Sequence, residues 1–201
     1  YINLDERTDR RETLDKNLEQ YGITGTRQPA YKLSVDTLTN LKAEAPTWSP
    51  GARGCSASHA KIIREAKRLN LRNIIIFEDD ARFYPNVKDI ITPIVEDLKR
   101  VEWDLLYFAC DISVYWMNDE HGVAGLGPLR DDPNLTFPTE LTSNLWHATH
   151  GGWGAFAYAV NNTFYDYFLM EHDEDRAEHI RVLYFAPDAF LKHACHNHRF
   201  L

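Results

Sequence analysis

The sequence predicts an α/β domain built on a largely parallel sheet. Short apolar runs without helical spacing alternate with segments of helical periodicity along the 201 residues. One such run, Ile74-Ile75-Ile76-Phe77 after Asn73, has the apolar character of a strand buried on both faces, and Trp103 to Cys110 reads as another buried strand. The first run passes directly into Glu78-Asp79-Asp80. Three carboxylates thus stand where a strand leaves the core, the side of an open α/β sheet on which ligands bind. On a strand, Glu78 and Asp80 point one way and Asp79 the other. Their mutual repulsion is costly without a cation, and carboxylate oxygens suit a hard divalent ion such as Mn²⁺ or Mg²⁺.

The length allows one domain with a sizeable core. A formal net charge of −8 argues against a general nucleic-acid binder. No apolar run approaches the length of a bilayer span. Cys55, Cys110 and Cys195 are too few and too scattered for a disulfide framework and fit reduced, mostly buried thiols.

The elements follow in order. Tyr1 to Leu4 reads as a strand already under way, and no signal peptide is visible in the sequence. A helix then runs to about Gln20, with Thr8 as a candidate cap, Leu14, Leu18 and Tyr21 on one face and Gly22 as its stop. This is the opening half of a βαβ unit, without the glycine-rich turn of a dinucleotide fold. Ile23 to Arg27 is a second candidate strand, and Pro46, Pro50 and Gly51 suggest a loop. Gly54 to His59 leads into a helix ending near Leu69, capped by Ser56 or Ser58, with His59 in its first turn and Ala60, Ile63, Ala66 and Leu69 facing inward. After the carboxylates, Val87 to Leu98 keeps helical spacing; Pro93 either kinks this helix or starts its main part with Thr92 as cap. From 111 to about 149 periodicity is lost, as in a lid, a binding loop or a disordered segment. His150 to Val160 is a strand whose entrance glycines permit close approach of a ligand, and a helix follows from Thr163 to Met170. Asp188 begins a short final helix, and His196 and His198 lie near the end.

Taken together, several blocks resemble glycosyltransferase family 25: Ile2-Asn3-Leu4 with Arg7, Asp9 and Arg10; Gly54-Cys55 with Ser58-His59; Phe77-Glu78-Asp79-Asp80 with Arg82-Phe83; Trp103 to Tyr107; the Tyr158 strand; and Asp188-Ala189-Phe190-Leu191. That family holds bacterial lipooligosaccharide galactosyltransferases and the galactosyltransferases of collagen hydroxylysine. Arg53 departs from the acidic residue that relatives often carry before Gly-Cys. The wording around Glu78 and Asp188 is closer to the collagen branch.

The resemblance implies a GT-A-type fold: a single Rossmann-like domain over 1–201, a mixed, mostly parallel sheet, and an irregular acceptor-side or lid region at about 111–149. It implies metal-dependent, inverting transfer of a sugar, galactose or glucose, from a UDP-sugar to a hydroxyl of a glycan or hydroxylated protein, with Mn²⁺ or Mg²⁺ as cofactor. Asp80, helped by Glu78 or Asp79, is the implied metal ligand, and the remaining carboxylate bonds the ribose. Asn3, Arg10 and His59 fall at the implied donor site. Asp188 is the implied general base and His198 a third metal ligand. Gly152 and Trp153 fall on the acceptor side, and Trp116 and Trp146 either stack on a sugar or anchor their loop. Two other readings stay open: a glycosyltransferase-like binding module without transfer, and a metal-dependent phosphoesterase. Reduced cysteines favour a bacterial or viral cytoplasm; the collagen-like wording leaves the secretory lumen open.

Overall fold

A computed structural model describes residues 1–32, 49–111, 139–147, 153–172, 191, 194 and 198–201; for 109–111, 153 and 170–172 only the backbone is considered. Strand β1 (Ile2–Asn3) leads into helix α1 (Thr8–Gln20), whose buried Leu14 and Leu18 sit at the predicted spacing. Gly22, at φ +69°, ends it. Strand β2 (Gln28–Pro29), five residues beyond the start of the predicted strand, pairs in parallel with β1.

Helix α2 (Pro50–Arg68) begins four residues before Gly54. Ser49 caps it by accepting the Ala52 N–H at 3.2 Å, and Pro50 takes the first helical position, where a missing N–H costs nothing. The Ser-Pro pair read as a loop is therefore the helix start, and His59 lies in the middle of the helix rather than its first turn. Ser58 is not a cap; its hydroxyl donates to the Gly54 carbonyl at 2.6 Å and accepts the Tyr31 N–H at 2.8 Å.

Strand β3 (Asn73–Phe77) is followed by helix α3 (Val87–Leu98), which carries Pro93 without interruption, and Thr92 bonds back to the Lys88 carbonyl instead of capping. Strand β4 (Leu105–Asp111) comes next. Inside the stretch read as irregular, β5 (Thr139–Glu140) and β6 (Trp146–His147) form a hairpin. Thr142 and Asn144 donate to Asp97, docking the hairpin on α3. Trp146 is half exposed, and Trp116 lies outside the described residues. Strand β7 (Trp153–Asn161) and helix α4 (Asn162–His172) complete the described elements.

The largest described sheet has the order β3-β7-β4 and is antiparallel at both junctions, which corrects the mostly parallel sheet expected. The β3-α3-β4 unit does lay two strands in the same direction. A strand arriving some 45 residues later in the chain, β7, is inserted between them with opposite sense. The apolar runs of neighbouring strands look alike whatever their direction, so strand order is a tertiary property. Strand β3 is also not buried on both faces. Ile76 is 1% exposed and Ile74 packs beside it against α2 and α4, whereas Ile75 is 52% exposed. The core between sheet and helices centres on Ile63, Leu105, Tyr158, Phe164 and Phe168, all fully buried, each contributing roughly 1.5–3 kcal/mol by leaving water. The segment 198–201 pairs with the far edge: Leu105 bridges Phe200 in parallel, the Tyr107 N–H donates to the Leu201 carbonyl, and the Leu201 N–H donates to the Leu105 carbonyl.

Candidate active site

The end of β1 meets the end of β3 through a parallel bridge between Ile2 and Glu78. That contact puts Asn3 beside the carboxylates. Asn3, 1% exposed, donates from Nδ2 to Asp79 Oδ2 at 2.8 Å and to the Arg7 carbonyl at 3.0 Å, while its Oδ1 accepts from Arg27 Nε at 2.9 Å. Its amide is thus fully committed to the scaffold. Arg10, from the first turn of α1, places Nη1 at 2.8 Å from Asp79 Oδ1 and 3.1 Å from Asp80 Oδ2. The Asp79 bond, offset in part by burial, holds the Arg10 guanidinium above its ordinary pKa.

The repulsion expected among Glu78, Asp79 and Asp80 is therefore relieved without an ion. Glu78 turns away toward α2. Its Oε1 lies 3.2 Å from His59 Nε2 and 3.5 Å from Cys55 Sγ. Cys55 and His59, four residues apart, share one face of α2. His59 is fully buried, and its Nδ1 lies 2.6 Å from the Tyr158 hydroxyl on β7, with the two rings stacked. Burial, the main influence, with neighbouring Cys55 and Glu78 acting in the same sense, pushes the Tyr158 pKa well above its ordinary value, so the phenol keeps its proton. With one proton on the imidazole, Nε2–H donates to Glu78 and Nδ1 accepts from Tyr158. A cavity of about 360 Å³ opens above these groups, lined among others by Asn3, Arg10, Lys32, Cys55, Glu78 and Asp79. That volume is within the range of small-ligand sites. Both anionic and cationic side chains line it.

The sequence profile of glycosyltransferase family 25 (LPS biosynthesis protein) matches residues 1–176 of this chain. The chain belongs to glycosyltransferase family 25. A glycosyltransferase 25 family member from Aedes aegypti and the inactive glycosyltransferase 25 family member 3 of Homo sapiens are each 30% identical to it over 121 residues. Procollagen galactosyltransferase 1-A from Xenopus laevis is 31% identical over the same length. Each match covers 53% of this chain but only 20% of the relative's own length.

Of the residues that the family resemblance singled out, the structure brings Asn3, Arg10, His59, Glu78, Asp79 and Asp80 together. Asp80 is 42% exposed, and its carboxylate and that of Asp79 are the hard oxygen donors Mn²⁺ or Mg²⁺ prefers. The donor set fits such an ion in kind, provided the ion displaces Arg10 from one carboxylate. His198 is not brought there. Its ring packs edge-on to Phe164 and lies 4.2 Å from that of Tyr167, with Nδ1 3.8 Å from Asp104. Asp104 bonds Asn161 whereas Glu78 bonds Phe156, five residues apart on β7, so roughly 16 Å of strand separates the two ends. Burial, the main influence, lowers the His198 pKa, as an aromatic pocket does. Trp153 lies at the carboxylate end, its backbone opposite Asp111; Asp188, Gly152 and His196 lie outside the described residues. Cys55 and Tyr158 were missed. The Cys-x₃-His spacing on a helix was the available signal for Cys55; the phenol on a distant strand gave none. Among the described residues, no helix is long and apolar enough to cross a membrane.

Proposed function

We propose that this domain binds a UDP-sugar in the cavity above Asn3, Arg10 and Glu78 and transfers the sugar, galactose or glucose, with inversion to an acceptor hydroxyl. The observation that carries the reading is the convergence of the β1 and β3 ends, which sets Asp79 and Arg10 on the wall of one cavity, with Asp80 bonded to Arg10 beside it. Breaking the glycosidic bond leaves negative charge on the diphosphate, and Arg10 and Lys32 on the cavity wall are placed to meet it. Mn²⁺ or Mg²⁺, held by Asp80 with Asp79, would neutralise the same charge. Glu78, whose Oε1 is held by His59, offers its other carboxylate oxygen to the ribose hydroxyls. Asp188 serves as the base that takes the proton from the acceptor oxygen as it attacks the face opposite the diphosphate. The acceptor is a glycan or hydroxylated protein; the name of the Xenopus laevis relative favours a collagen-type substrate.

A second reading is a donor-binding module without transfer. It is supported by Arg10 holding both Asp79 and Asp80, and by the inactive designation of the human relative. Calorimetric titration of UDP with and without Mn²⁺, followed by turnover of UDP-galactose and UDP-glucose, separates the cases. Mn²⁺-enhanced UDP binding with turnover is expected. Binding without turnover selects the module, and no UDP binding in either condition rejects both.

A further inference from the structure

We propose that Cys55, His59 and Glu78 form a separate binding site for a borderline-soft divalent cation, Zn²⁺, distinct from the hard-ion carboxylates Asp79 and Asp80. Among the described residues these three make the one group of metal-type side chains whose ligand atoms all lie within 4.8 Å of one another. Their spacings suit a shared ion. Bonds of about 2.3 Å to sulfur, 2.05 Å to nitrogen and 2.1 Å to oxygen at tetrahedral angles put nitrogen and oxygen about 3.4 Å apart and sulfur and oxygen about 3.6 Å apart. The observed separations are 3.2 Å for His59 Nε2 to Glu78 Oε1 and 3.5 Å for Cys55 Sγ to Glu78 Oε1. Ion capture therefore needs little movement of these pairs.

The surroundings suit an ion as well. Metal-bound histidines are ordinarily held by a hydrogen bond at their other nitrogen, and Tyr158 stands at Nδ1 at 2.6 Å. Its hydroxyl donates to Nδ1 in the ion-free geometry and accepts from Nδ1–H once Nε2 gives its lone pair to the ion. Binding thus moves the imidazole proton from Nε2 to Nδ1 and releases the Cys55 thiol proton to solvent. One thiolate and one carboxylate balance the charge of Zn²⁺. Cys55 and Glu78 both line the 360 Å³ cavity, which provides a route in and space for a water as fourth ligand. Thiolate and imidazole select Zn²⁺ over Mn²⁺ and Mg²⁺, so the two kinds of ion sort by ligand chemistry between neighbouring positions.

The test uses Co²⁺ as a spectroscopic stand-in for Zn²⁺ on the reduced whole chain. Expected are one equivalent bound, a thiolate-to-cobalt charge-transfer band, visible bands of tetrahedral intensity, and displacement by Zn²⁺ but not by equimolar Mn²⁺. Cys55→Ser should abolish the charge-transfer band, and Asp80→Asn should keep it. Tyr158→Phe should keep the band and weaken Co²⁺ binding roughly 10- to 100-fold, as loss of an outer-sphere partner does. Absence of the band in the parent chain, or its persistence in Cys55→Ser through another cysteine, would overturn the site. The parent measurement alone decides the matter if a variant does not fold. UDP affinity plays no part in it.

Discussion

Replacing Tyr158 by Phe tests how the core is wired to the candidate site. The substitution leaves a ring of nearly the same volume at a fully buried position, so it opens no cavity. What is lost is one hydroxyl bonded at 2.6 Å to a nitrogen of His59, itself fully buried. A buried imidazole nitrogen left without a partner costs about 1–3 kcal/mol. For a chain of 201 residues, each kcal/mol moves the melting temperature by roughly 2–4 °C, so a fall of about 2 to 12 °C is expected. Thermal unfolding of Tyr158→Phe, His59→Asn and the double variant isolates the pair. Because the two side chains act through one bond, their coupling should be about 1 kcal/mol or more. Additive losses would refute the reasoning: the phenol would then stabilise the core by packing alone, and His59 would owe its position to α2.

Three further outcomes are expected. Arg10→Ala should weaken UDP binding about ten-fold, the low end of a charge-assisted hydrogen bond because Arg10 is partly solvated, with the melting temperature nearly unchanged; equal UDP affinity assigns Arg10 to holding Asp79 and Asp80 only. His198→Ala should leave Mn²⁺ affinity in the presence of UDP as it was while costing about 1 kcal/mol of stability through its lost ring contacts; a drop in Mn²⁺ affinity would return His198 to the site. Burial works to raise the Asp104 pKa, but hydrogen bonds from Arg199, Thr163 and the Arg199 N–H bring it from 3.8 down to about 2. Since the folded-state value is the lower one, the unfolded chain takes up the proton first as pH falls. About 2 to 3 kcal/mol of stability is then fully present above pH ~5 and disappears as pH drops toward 2. Denaturant unfolding from pH 5 to 2 should show a correspondingly flatter acid loss in Asp104→Asn, and parallel curves would remove this role from Asp104.

Local pattern was enough for much of the molecule. The spacing of Leu14 and Leu18 defined α1, the isoleucine run defined β3, and the passage of that run into Glu78-Asp79-Asp80 located the site, because periodicity and strand polarity are written into neighbouring residues. The ordered blocks identified the family across most of the chain. Tertiary structure alone decided what lies between the blocks. Strand β7 enters between β3 and β4 and reverses the expected sheet sense, since pairing partners far apart in sequence are chosen by the packing of whole elements. The same insertion brings Tyr158 to His59 and fixes Glu78 toward Cys55, which no spacing along the chain encodes. Arg10, 69 residues before Asp79, supplies the positive charge for which a metal ion alone had seemed the remedy. His198 shows the converse. Its place in the sequence pointed to the site, but the segment 198–201 adds to the outer edge of β4 and carries the ring to the other end of the sheet, where it packs against Phe164 and Tyr167.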